Sequence, residues 1–250
     1  MTIVDGHVHV GLTRYVVVEV LVAQMDIAGI DKALLVQYGG CYNNAYLKDC
    51  MDRYPGRFAA LGAVDYAAPD AAAQIRRQVG EYGLAGLRIP ASVESEAVWE
   101  TVGELGIVAS LSGGMPHLLS PRVEEYIRRF PQVQFRIEHM GLVLDAEKTP
   151  DEPNYARLMQ YAAYPNTLFM LSGFYAFGKS YPYAEVKPFI KRALQCFGAQ
   201  RLMWGSDFPR VCAVETCEMT LELPLRGWDF LSAEEREWIL GKTASALFDF

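Results

Sequence analysis

The chain has 250 residues, 51% hydrophobic and 21% charged, so it is long enough to bury one large core and too apolar to be disordered. Its formal net charge of −7 argues against a nucleic-acid surface and for small-molecule partners, although a few converging arginines would still bind an anion. Five cysteines without a Cys-x-x-Cys pair suggest neither a disulfide framework nor a zinc ribbon, and no apolar run is long enough to span a bilayer; the reading is a cytoplasmic protein with no membrane partner.

The first predicted strand, over residues 3–10, ends in Asp5-Gly-His7-Val-His9. At a side-chain period of two, Asp5, His7 and His9 share one face. A polar face on an otherwise apolar strand is costly to bury unless something binds there, and a dication is the usual partner of two neutral imidazoles. Core histidines satisfied by carbonyls are the competing reading, because a metal needs a third and fourth ligand from elsewhere.

Further short, apolar, often β-branched runs follow over residues 32–36, 58–64, 84–89, 107–112, 133–138, 167–172 and 201–205. Amphipathic helical segments alternate with them over residues 17–28, 44–54, 70–82, 95–105, 121–130, 154–164, 185–197 and 233–248, several of them followed by glycine or proline stops. Eight alternating units imply a parallel sheet, and eight is the number at which such a sheet closes: the prediction is α/β, a single (β/α)8 TIM barrel over residues 1–250. The doubly wound alternative lacks its glycine-rich fingerprint.

In strand four, Gly86 and Arg88 alternate with Leu87 and Ile89, so Arg88 turns inward to meet Glu138, Asp5 or a ligand carboxylate. In strand six, Phe135, Ile137 and His139 are taken to be in phase, which carries His139 to the carboxyl-end rim. Met203, Gly205 and Asp207 share a face beside strand one in a closed barrel, and Arg210 follows at the same mouth. Tyr38, Tyr42 and Tyr175 fall in or near rim loops as candidate pocket walls. No G-x-S-x-G elbow supports a serine hydrolase.

Together these residues resemble the amidohydrolase superfamily, in the branch of lactonases, hydratases and nonoxidative decarboxylases. The likeness spans nearly the whole chain. It is carried by Asp5-Gly-His7-Val-His9, residues 25–36, residues 54–58, Gly86-Leu-Arg88, Glu138-His139-Met-Gly141, Leu171-Ser172-Gly173 and Gly205-Ser-Asp207-Phe-Pro209. The resemblance implies His7, His9 and Asp207 as ligands of one divalent metal, zinc by family habit, with Asp207 and His139 as catalytic groups. Strand five departs from the pattern: Ser112 stands where the family usually ends in histidine, and a hydroxyl is a poor zinc ligand. His117 in the next loop either substitutes for it or is an ordinary loop residue. The family also includes lactonases that work without metal.

The function implied is hydrolysis of a small carboxylate-bearing lactone, ester or amide, with Asp207 as general base, the carbonyl polarised by metal or histidines, and Arg88, Arg210, Ser112, His117 and Tyr38 binding substrate. A metal-dependent decarboxylase or hydratase of the same family, and a noncatalytic ligand-binding barrel, are the alternatives. Assembly into a homo-oligomer is compatible with this reading.

Overall fold

In the computed structural model, which describes residues 1–142 and 152–250, eight short strands follow one another around one parallel sheet in sequence order. They are β1 (Val4–Val8), β2 (Lys32–Val36), β3 (Phe58–Gly62), β4 (Gly86–Pro90), β5 (Val108–Ser112), β6 (Phe135–Ile137), β7 (Thr167–Leu171) and β8 (Leu202–Trp204). Parallel ladders join each strand to the next from β1 to β8. The last join is made beyond the strands: Val8 bridges Phe208, the His9 amide donates to the Phe208 carbonyl at 2.7 Å, and the Asp207 amide donates to the His7 carbonyl at 2.9 Å. The fold is a TIM barrel, as the alternation of apolar runs and amphipathic segments predicts.

The helices occupy most of the expected spans. Val18–Ala28 stops at Gly29, whose φ of 71° is strained for a residue with a side chain. The segment predicted as one helix over 233–248 contains a wider π turn, Trp238–Lys242, between Ala233–Glu237 and Thr243–Leu247. There Gly241 packs so tightly on the amino terminus that a Cβ would lie 2.0 Å from the Thr2 carbonyl oxygen. The span 154–164 likewise divides into an α-helix, Glu152–Leu158, and a 3-10 segment, Met159–Ala163. No described helix is long and apolar enough to cross a membrane.

Two layers of apolar contact hold the barrel. Val4, Leu34, Val36, Ala59, Leu61, Val108, Met170 and Met203 form an inner cluster, and Ala244 and Phe248 pack with it. A larger cluster lies between strands and helices and includes Val8, Leu35, Leu87, Ile89, Leu111, Phe135, Ile137 and Trp204.

These clusters correct the predicted phase of two strands. In β6 the residues facing the helices are Phe135 and Ile137, with Phe135 stacked on Trp99, while Arg136 and Glu138 turn inward. His139 therefore reaches the mouth through a kink rather than by strand alternation: His139 and Met140 both adopt positive φ, 48° and 53°. In β1 the register slips between Asp5 and Val8, a bulge that places one extra residue against β2. Val4 belongs to the inner cluster but Val8 to the outer, so the bulge turns His7 and His9 inward and separates them from Asp5. Asp5 instead accepts hydrogen bonds from the Ser206 amide at 2.9 Å and the His7 amide at 3.2 Å.

Candidate active site

Above the apolar floor, at the carboxyl ends of the strands, the barrel interior becomes polar, the position at which this fold carries its chemistry. Four titratable side chains meet there. His9 Nε2 lies 3.2 Å from Asp207 Oδ1 and His7 Nε2 lies 3.8 Å from the same oxygen. The His139 ring sits 4.6 Å from that of His7, centroid to centroid. Gly205 permits the approach of β1 to β8, since a Cβ there would come within 2.9 Å of His7.

Asp207 follows β8 with φ of 61°, a left-handed conformation that a turn must impose. Its two oxygens differ in environment. Oδ2 accepts from the Tyr175 hydroxyl at 2.5 Å, while Oδ1, fully buried, has no hydrogen-bond partner. Burial pushes this carboxyl's pKa up, but His139, His9 and the Tyr175 hydroxyl outweigh it and hold it at about 2. The carboxylate is therefore ionised across the neutral range. The same proximity and burial push the Tyr175 phenol up, so it stays a donor.

A second network lies opposite. Arg88 Nε is 3.2 and 3.0 Å from the two oxygens of Glu138, and its Nη2 is 2.8 Å from Oε2. Ser110 donates to Glu138 Oε1 at 2.7 Å and receives Arg136 Nε at 3.0 Å. Burial alone would neutralise Glu138, yet Arg88, His139 and Arg136 bring its pKa below the ordinary value, while Glu138 offsets burial and raises Arg88. Both are charged. The inward turn of Arg88 and its pairing with Glu138 follow the sequence expectation.

His9, Asp207, His139, Arg88, Glu138, Ser112, Tyr175 and Arg210 line one cavity of about 230 Å³. His7 is completely buried beneath it. Arg210 stands at its wall, 3.3 Å from the Tyr175 hydroxyl and 3.9 Å from Asp207 Oδ2. The larger cavity, about 650 Å³, lies to one side and contains Tyr38 among residues such as Val10, Leu12 and Tyr46. Size does not locate the chemistry here, because the histidine–carboxylate cluster lies at the smaller cavity. His117 borders a third cavity, with Ser92, Ser120 and Arg122, and is not gathered with the cluster.

Tyr15 was not anticipated. Its ring stacks on His9 at 5.1 Å and 10°, with Tyr38 edge-on behind it and Arg14 over both rings. Arg136 was not anticipated either, although the alternation of Arg136 and Glu138 with Phe135 and Ile137 is a visible period-two signal.

His7, His9 and Asp207 offer ligand atoms within 4.8 Å of one another, a spacing that could hold one metal ion. The hydrogen bonds behind the two imidazoles discriminate further. His9 Nδ1 is 2.6 Å from the Val36 carbonyl oxygen, the usual support of a histidine ligand, whereas His7 Nδ1 is 3.3 Å from the Arg136 guanidinium. Spacing thus fits an ion, but the hydrogen bonding behind His7 does not.

A family model described as amidohydrolase matches residues 5–250. L-fucono-1,5-lactonase from Burkholderia ambifaria is 28% identical over 197 residues, spanning 73% of this chain and 66% of that protein, just under two thirds of its length. A 4-sulfomuconolactone hydrolase from Hydrogenophaga intermedia is 26% identical over 239 residues, 86% of this chain and 76% of that one. The crystal structure of an amidohydrolase from Burkholderia multivorans with bound zinc superposes with a TM-score of 0.82 at 23% identity, covering 99% of each chain, a likeness of fold.

Proposed function

The chain belongs to the amidohydrolase family, and from that premise we propose that it hydrolyses a small carboxylate-bearing lactone with Asp207 as general base. The observation that carries this reading is the asymmetry of the Asp207 carboxylate, ionised, anchored through Oδ2 by Tyr175 and unpartnered at Oδ1. The lactone hydrolases among its relatives support the substrate class.

A water held against Oδ1 gives its proton to Asp207 as its oxygen attacks the lactone carbonyl carbon. His139 Nδ1 lies 2.9 Å from the Ser172 hydroxyl; we assign the hydroxyl as donor, so that His139 carries its proton on Nε2 and donates it as a hydrogen bond to the carbonyl oxygen, where negative charge develops. When the ring carbon–oxygen bond breaks, Asp207 returns the proton to the departing alkoxide. The products are a hydroxyl and a carboxylic acid on one open chain, and the acid releases its proton to solvent at neutral pH. Arg210, at the cavity wall, is the cation placed to hold the substrate's own carboxylate, since Arg88 is engaged by Glu138. No step passes through a metal.

The test is proton release from a panel of neutral and carboxylate-bearing lactones, with chelator present. Ring opening of a carboxylate-bearing member at a rate lost in heat-denatured protein is the expected result. Carbon dioxide evolved from aromatic carboxylates, with every lactone inert, would overturn it in favour of a decarboxylase.

A further inference from the structure

We propose that Arg136 is a positioning residue that fixes His7 in its Nε2–H tautomer, so that His7 faces Asp207 as a hydrogen-bond donor rather than as a lone-pair ligand. The inference deepens the hydrolase reading and rests on it for its meaning, but the tautomer itself stands on geometry alone.

Arg136 has no exposed surface, and its guanidinium carries donors only. Those donors can be followed one by one. Nε donates to Ser110 Oγ at 3.0 Å, Nη1 donates to the Gly6 carbonyl at 2.5 Å with the Met170 sulfur 3.3 Å away, and Nη2 points at His7 Nδ1 at 3.3 Å. A guanidinium keeps its protons in a folded protein. The atom of His7 that meets it must therefore be an acceptor.

An imidazole nitrogen that accepts a hydrogen bond carries no proton, so the guanidinium holds His7 as the neutral ring. A neutral imidazole has one proton, and with Nδ1 accepting from Arg136 that proton lies on Nε2. His9 is set the other way: the Val36 carbonyl can only accept, so His9 carries Nδ1–H. The two histidines of one His-x-His motif are thus held differently: His7 turns a protonated Nε2 toward Asp207 Oδ1, whereas His9 carries a proton on the Nδ1 that faces the Val36 carbonyl.

This explains two otherwise unpartnered atoms. His7 Nε2 and Asp207 Oδ1 are both buried without hydrogen-bond partners, a donor and an acceptor 3.8 Å apart. That separation is too long for a direct bond, so each has capacity for an oxygen brought in between them. A water there can donate one proton to Asp207 Oδ1 while accepting from His7, which aims its second proton or lone pair at the substrate. Coordination of an ion by His7 Nε2 would instead move the imidazole proton to Nδ1, setting an N–H against the guanidinium N–H groups where both side chains are fully buried.

The experiment is long-range ¹H–¹⁵N correlation of the ring nitrogens in ¹⁵N-histidine-labelled protein, assigned by single histidine substitutions, before and after zinc chloride is added. We expect His7 to show a protonated-type Nε2 and an acceptor-type Nδ1, His9 to show a protonated Nδ1, and no transfer of His7 Nε2 to a metal-bound shift at one equivalent of zinc. Arg136→Met is expected to abolish the single tautomer of His7, and Arg136→Lys, which keeps a donor, to restore it. A protonated Nδ1 on His7 in the unsubstituted protein, or its zinc-bound shift at one equivalent, overturns the proposal whether or not the variants fold. Failure of every lactone in the activity panel would leave these spectra unchanged and so would bear on the reaction alone.

Discussion

The two sides of the barrel mouth hold similar groups in opposite conditions. On the β4–β6 side, Arg88, Glu138, Ser110 and Arg136 satisfy one another through a continuous run of hydrogen bonds. On the β8–β1 side, His7 Nε2 and Asp207 Oδ1 are as deeply buried yet have no partner. Native interiors rarely leave such atoms orphaned, because each costs the desolvation of a polar group without return. The difference separates a scaffold of charges that supports the cavity from a set of atoms kept open for something that binds.

That division can be broken by substitution. Asp207→Asn should lower kcat/KM on the lactone substrate by on the order of 10³-fold, the usual weight of a general base. Activity within tenfold of the unsubstituted enzyme would remove Asp207 from that role and erase the contrast from the chemical side.

Glu138→Gln should act on stability instead. Removing one member of a buried pair leaves the Arg88 guanidinium uncompensated, at a cost of about 4 kcal/mol. Urea unfolding reads this directly, and a loss below about 1 kcal/mol would mean that the paired side is no more structural than the open one.

A smaller effect sharpens the boundary at the base of β1. Burial pushes the Asp5 carboxyl up to about 7, against 3.8 for the ordinary group, despite the hydrogen bonds from Ser206 and His7. The folded protein then holds a proton that the unfolded chain releases, so this contribution is full below the unfolded pKa and fades as pH rises through about 7. Relative to Asp5→Asn, the unsubstituted protein should lose about 2 kcal/mol of unfolding free energy between pH 5 and pH 7. An unchanged difference across that interval would show that Asp5 ionises normally in the fold.

Much of this was legible in the chain. Short apolar runs alternating with amphipathic segments specify eight strands, and closure then brings His7 and His9 to Asp207, a meeting that no local pattern contains. What escaped was local backbone irregularity. A period-two count cannot detect the β1 bulge, and it carries His139 to the rim in phase with Phe135 and Ile137, whereas those two face the helices and His139 lies in a left-handed kink. Loop residues have no period at all, which is why Tyr15 went unnoticed while Tyr38 and His117 were expected in a pocket that they do not line.

The join between the first and last strands has a consequence for motion. It is made largely by the amides of His9 and Asp207, residues whose side chains also meet in the proposed active site. Mechanical integrity of the ring and alignment of the reacting groups therefore depend on the same short stretch of backbone. Breathing at that seam would draw imidazole and carboxylate apart in concert, silencing turnover while the remaining seven-eighths of the wall stayed intact.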